Sequence, residues 1–155
     1  MTSWCRGYEV ETKVLDVWFK CDLGLDGCQE IAADLFKHFG VEPIEVKHAR
    51  SDAQRSWYWH ATRKRSARIH LSQIRGCNAA TLCHEVAHHV SHLRGSRGHD
   101  RLWASVYVLA VERAMGPMSA ADLRDGFREI GLLWRPRGSV TPSRYNVTTE
   151  QGAVQ

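Results

Sequence analysis

Along the chain, the apolar positions switch between a period near 3.6 and a period of 2, separating helical from extended stretches. Ile31, Leu35 and Phe39 repeat at helical spacing, with Glu30 in the first turn and Gly40 just beyond, so a helix is predicted from about Asp26 to His38. After Pro43, Ile44, Val46 and His48 alternate with Glu45 and Lys47, the pattern of a strand with one exposed face. Trp57–Ala61 and Arg68–Ser72 read as two further strands joined by residues 62–67. In the second, Ile69 and Leu71 take one side while Arg68, His70 and Ser72 take the other. Tyr8 to Phe19 fits both periods, and the helical set Val10, Val14, Val17 and Trp18 is preferred over the alternating one. Residues 1–7 read as a loose end, and Asp22–Gly27 as a turn.

The second half is helical throughout. At about 100° per residue, Leu82, Val86, Val90 and Leu93 form one stripe, and His84 and His88 lie nearly opposite it. Asn78 is placed to cap this helix and Gly95 to end it. Another helix is predicted from His99 to about Met115, with Leu102, Trp103, Val106, Leu109 and Ala110 as a broad apolar face, before Gly116-Pro117 breaks it. Ser119 with Asp122 resembles a capping box for a last helix that packs Leu123, Phe127 and Ile130 and stops at Gly131. Pro, Arg, Ser and Thr dominate beyond Trp134, so the expected organisation is one α+β domain over residues 1–134 and a flexible tail over 135–155.

The chemistry concentrates in His84-Glu85-Val86-Ala87-His88. Two histidines four apart on a helix lie on one face about a turn apart, so both imidazoles can reach a single metal ion. The helix cannot itself complete a tetrahedron. His92 lies on the same face but a further turn away, and His89 is rotated toward the apolar stripe as a partly buried polar contact. Gly95, Ser96 and Gly98 allow the chain to turn back, and His99 follows at once. Glu112 is the rival third ligand, because some zinc peptidases take a glutamate from the next helix. Glu85 sits beside the pair, where a carboxylate can accept a proton from water, a group for which a structural site would have no use. The expectation is a catalytic Zn2+ site with His84, His88 and His99 as ligands and Glu85 as general base. Tyr107 and His70 are candidate oxyanion donors, and Asp100 is a second-shell orienting group or a helix cap.

His84-Glu85-x-x-His88 followed by Gly98-His99-Asp100-x-x-Trp103 resembles the SprT-like and WLM-like minimal zincins over roughly residues 68–107, and is similar to small bacterial and phage metallohydrolases. The resemblance implies a small, mostly antiparallel sheet packed with the active-site helix and further C-terminal helices. It also implies zinc on His84, His88 and His99, Glu85 as base, Trp103 packed behind the third ligand, and a peptidase acting on protein or peptide substrates. In such a fold the strand before the metal helix commonly forms the cleft rim, so Arg68–Ser72 is either a substrate-pairing strand or an ordinary inner one. SprT-like proteins often carry a C-terminal zinc ribbon, which has no counterpart here because the chain contains no Cys-x-x-Cys. Two other readings stand beside this one. One is a regulatory peptidase resembling the ImmA/IrrE group with acidic Glu112 as third ligand, and the other a non-catalytic zinc module that binds protein or nucleic acid.

Composition narrows the remainder. In 155 residues, 43% hydrophobic and 25% charged content is ordinary for a globular protein, expected here to be monomeric. The odd set Cys5, Cys21, Cys28, Cys77 and Cys83 makes no disulfide framework and reads as reduced thiols. Charged residues run through the first twenty positions and the longest apolar run, residues 102–111, is about half a membrane span, so a cytoplasmic protein is expected. The hairpin over 57–68 mixes Trp57, Tyr58 and Trp59 with Arg63, Lys64 and Arg65. Such a mixture can stack and hold single-stranded nucleic acid, although a solvated turn is the more common meaning. Arg94, Arg97 and Arg101 near the proposed cleft can favour acidic substrates.

Overall fold

The computed structural model describes residues 3–132, with side chains from Gly7 onward. Its elements run α1 (Ser3–Val14), α2 (Asp16–Phe19), α3 (Gly24–Phe39), β1 (Glu45–His48), β2 (Trp57–Trp59), β3 (Arg68–Leu71), α4 (Ala79–His92), α5 (Arg101–Met115) and α6 (Pro117–Glu129). This is the expected α+β class. The ambiguous N-terminal stretch is helical, and α1 begins already at Ser3, within the segment read as a loose end. Buried Leu15 separates α1 from α2, and its carbonyl accepts the amides of Trp18 and Phe19 at 2.9 and 3.0 Å. α3 starts earlier than its apolar repeat indicated, because Asp22 Oδ1 accepts the Gly24 amide at 2.9 Å and draws the first turn upstream. It ends where expected, at Gly40 in the left-handed region (φ 63°).

The three strands lie in the order β1-β3-β2, with β1 parallel and β2 antiparallel to β3. The sheet is therefore mixed rather than mostly antiparallel. β3 occupies its centre, so Arg68–Leu71 is the inner strand and the substrate-pairing alternative falls: both of its edges are already hydrogen-bonded. Register places Val46, Ile69 and Tyr58 side by side on the helix-covered face, and Lys47, His70 and Trp57 side by side on the other. On that outer face Trp57 stacks on His70 (centroids 5.1 Å apart, planes 13°) and Arg65 lies 5.2 Å over Trp59.

α4 is the hub, packing on α3, α5 and the inner face of the sheet. Leu82, Val86 and Val90 are fully buried with Leu35, Phe36, Ile69, Leu71, Trp103, Tyr107, Leu123 and Phe127, whereas Leu93 at the end of the predicted stripe is exposed. α6 packs across both α5 and α1. It begins at Pro117, not Ser119, because proline supplies the helical φ at the first turn without needing its absent N–H. Ser119 Oγ instead accepts the Trp18 indole N–H at 3.1 Å, so no capping box with Asp122 forms. No helix among the described residues is long and apolar enough to cross a membrane. The tail expected over 135–155 lies outside the described residues.

Helices α1 and α6 meet at Gly126, where an added Cβ would collide with Val10 Cγ1. Val10 is β-branched and stiff, so the backbones themselves must part. Gly126→Ala is expected to destabilise the chain by about 1 kcal/mol net, even though alanine is the better helix former, because overpacking costs about 1–3 kcal/mol against a propensity gain of about 1 kcal/mol. Thermal melting checks the sign: a raised midpoint would contradict close α1–α6 packing.

Candidate metal centre

Three local devices aim the histidines. Asn78 Oδ1 accepts the Thr81 amide at 2.8 Å and fixes the start of α4, which sets the rotation of His84 and His88 about the helix axis. At the other end Gly95 takes φ +91° and Ser96 hydrogen-bonds back to the Ser91 carbonyl at 3.0 Å, turning the chain. Asp100 then caps α5 by accepting the Trp103 amide at 2.9 Å, so of its two expected roles it fills that of cap. His99, one residue earlier, is brought back over the His84–His88 face.

The three Nε2 atoms form a nearly equilateral triangle. His84 and His88 stand 3.2 Å apart, His88 and His99 3.1 Å, and His84 and His99 3.1 Å. Tetrahedral donors around one ion with bonds of about 2.0–2.1 Å lie about 3.3 Å apart, so the set fits a divalent transition metal with little adjustment. Trp103 is fully buried against all three rings, with centroids 4.9, 5.5 and 4.3 Å from those of His84, His88 and His99. Glu112 lines a separate concavity with His38, Leu109 and Arg113, and only His84, His88 and His99 converge among the described residues. His89 is buried, its Nδ1 3.3 Å from the Tyr58 hydroxyl, as the helical rotation predicted. Cys83 is buried in the core, and Cys21, Cys28, Cys77 and Cys83 are all free.

Burial, followed by the two neighbouring imidazoles, pushes the His88 pKa down to about 2. Burial and His84 likewise push His99 down to about 4, so both rings are neutral, the form that binds metal. His84 differs. Burial alone would lower its pKa, yet Glu11, with help from Glu85, outweighs burial and raises it. Glu11 on α1 is 2% exposed and its Oε2 accepts from His84 Nδ1 at 3.0 Å. With Nδ1 donating, Nε2 presents its lone pair to the metal position.

Glu85 is 6% exposed, and burial and then Glu11 raise its pKa, against the opposing His84 charge and the Tyr58 backbone N–H, to about 7. Tyr8, 52% exposed, stacks on His84 (5.5 Å, 22°) and meets His99 edge-on (5.5 Å, 69°). Its phenol is held neutral by burial and by the Glu11 and Glu85 carboxylates. Sequence reasoning missed Glu11 and Tyr8 as site residues and gave Tyr58 only as part of the aromatic–basic hairpin; the burial of Glu11 on α1 emerges only in the fold. Neither residue expected as an oxyanion donor presents its polar group to the triad, although the Tyr107 ring packs edge-on against His84 (5.6 Å, 74°). Tyr107 is fully buried and donates to the Ala80 carbonyl at 3.4 Å, and His70 lies on the sheet face opposite α4.

Concavities flank the triad on both sides. One of about 440 Å³ is lined by His84, Glu85, Tyr8, Glu11, Arg55 and Arg75 among others. Another, of about 580 Å³, is lined by His88 with Tyr58, His60, His92 and Arg97. Arg97 thus borders the site as expected, whereas Arg94 and Arg101 line neither space. Comparison with protein-family models, with curated proteins and with solved structures gave no match. The functional reading therefore rests on the geometry of this chain.

Three outcomes are expected. His99→Ala should lose the metal while Glu112→Ala retains it, as measured by metal content after dialysis. Glu11→Gln should weaken metal affinity by about 10–100-fold through loss of the carboxylate behind His84, in a competition titration with a chromophoric chelator. In the metal-stripped chain, Glu85→Gln should be stabilising at pH 8, on the order of 2–3 kcal/mol. Below the ordinary carboxyl value of 4.5 the group is protonated folded or unfolded and the difference vanishes. Between 4.5 and about 7 the folded state retains a proton that the unfolded state has lost, so wild-type stability falls as pH rises. Urea denaturation of both chains across that range checks the sign.

Proposed function

We propose that this chain is a zinc-dependent peptidase of the minimal zincin type that its motif resembles, with His84, His88 and His99 holding the ion and Glu85 as general base. The observation that carries the reading is the convergence of three Nε2 atoms 3.1–3.2 Å apart beside a buried carboxylate. Three imidazoles without a fourth protein donor among the described residues suit a site that keeps one position open, whereas structural zinc sites close all four. The bound ion would supply Lewis acidity, polarising a carbonyl and lowering the pKa of a water toward neutrality.

The chain's own groups supply the rest. In the metal-free chain burial holds the Glu85 carboxyl up at about 7; a cation bound beside it favours the carboxylate, the form that can accept the proton of the attacking water and return it to the leaving amine. The Tyr58 backbone N–H favours the charged form of that carboxyl. Glu11 holds the tautomer and position of His84. Tyr8 takes the role first considered for Tyr107 and His70: a neutral phenol at the half-exposed mouth of the site can donate to an oxygen that gains negative charge. The flanking concavities give room for chain on either side of the scissile bond. Nucleic-acid contact through the 57–68 hairpin has less support, because Arg65 already covers the Trp59 ring.

Glu85→Gln is expected to retain zinc and lose at least about 100-fold in turnover of a fluorescently labelled casein, since general-base catalysis contributes about 10²–10⁴-fold. Full activity in that variant would remove Glu85 from its role. Tyr8→Phe keeps the ring against His84 and removes only the donor, so kcat should fall about 100-fold with zinc content unchanged.

A further inference from the structure

Two exposed arginines border the concavity on the Glu85 side of the triad. Four arginines of the described residues stand against carboxylates: Arg50 on Asp52, Arg68 on Glu45, Arg113 on Asp34 and Arg128 on Asp125. Arg55 and Arg75 both line this pocket, and neither joins an ion pair among the described residues. The two acidic residues of the same pocket, Glu11 and Glu85, are committed at its inner end, the first to His84 and the second beside the metal position. An unpaired pair of guanidinium groups therefore borders the outer end of a cleft whose inner end carries the proposed chemistry.

The loops that carry them are tied together. The Ser72 amide donates to Ser56 Oγ at 2.9 Å, the Ser72 hydroxyl donates to the Ala53 carbonyl at 2.7 Å, and the Gly76 amide donates to the Ser72 carbonyl at 2.8 Å. Gly76 is required in this knot, since a Cβ there would collide with Ser56 Oγ and with the Ser72 backbone. Arg55 adjoins Ser56 and Arg75 adjoins Gly76, so the knot fixes the backbone from which both exposed side chains border the pocket. Phe19, Tyr8 and Thr12 on the opposite wall add apolar and neutral surface. A space of about 440 Å³ holds one or two residues, not a long segment.

We propose that this pocket receives the anionic end of the substrate, a carboxylate held by Arg55 and Arg75 on the Glu85 side of the metal triad. The inference rests on the zinc-peptidase reading and adds its substrate class: peptides with a free C-terminal carboxylate or an acidic side chain close to the cleaved bond. Guanidinium pairs recognise carboxylates by charge and by forked hydrogen bonding, and a neutral group in the same place leaves both cations unpaired.

The test uses zinc-loaded Glu85→Gln chain and three peptidyl hydroxamates that differ only at one end: a neutral amide, a free C-terminal carboxylate, and a glutamate under an amide cap. Calorimetric titration should show at least one acidic probe binding about tenfold more tightly than the neutral one. Which acidic probe gains identifies the source of the carboxylate. Adding Arg55→Ala and Arg75→Ala together should remove the preference, and Arg→Lys at both should restore part of it. Equal affinities in a zinc-loaded chain, or an acidic preference that survives the double alanine substitution, overturn this inference alone. A chain that takes up no zinc, measured on the same samples, overturns the peptidase reading and this inference with it.

Discussion

The structure depends on the burial of three ionisable groups in one place. Glu11, His84 and Glu85 all lie beneath the surface around the triad. Two carboxylates and an imidazole taken out of water would cost several kcal/mol each if left unpaired. The Glu11–His84 hydrogen bond, and the Tyr58 backbone N–H that favours the charged form of Glu85, offset part of that cost. Much of the surrounding architecture follows from it. Helix α1 must dock to deliver Glu11, α6 must present a glycine so that α1 can approach, and the middle of β2 must pass close to α4, with the Tyr58 backbone beside Glu85.

Helix α4 serves the core and the site at once. Its apolar stripe is locked among α3, α5 and the sheet, so the opposite face, with His84 and His88, inherits the rigidity of the core. Trp103 extends the same arrangement to His99, because a fully buried indole fixes the loop-borne ring from behind. The histidines need little adjustment to meet a metal, a condition that precise ligand geometry requires and that sites on loops alone rarely meet.

What was legible in the sequence was local. The Asn78 cap, the glycine-rich turn and His99 all act within about twenty residues and are found where their patterns placed them, and the periodicity of α4 holds for Leu82, Val86 and Val90 but not for exposed Leu93. What was not legible depends on distant partners. Strand order decides whether Arg68–Leu71 is an edge, and alternation along a strand carries no information about its neighbours. Tyr107 has the right residue type for an oxygen donor, but its position on α5 turns it into the core. Glu11 and Tyr8 sit in a segment whose own pattern was ambiguous, and they acquire meaning only when α1 is laid against α4. The start of α6 was misplaced for a local reason, since two competing helix-start signals, Pro117 and Ser119, stand within one turn of each other.

The partnership of Glu11 with His84 spans 73 positions, and α1 is held in place by α6, the last helix described. Contacts this remote form late, because a long loop must close before they return any free energy. During synthesis α1 emerges first, yet it has nothing to dock on until α4, α5 and α6 have followed. A nascent or truncated chain can thus carry the whole His-Glu-x-x-His helix and still lack the carboxylate behind its first histidine. The surroundings of His84 are complete only once the last described helix is in place.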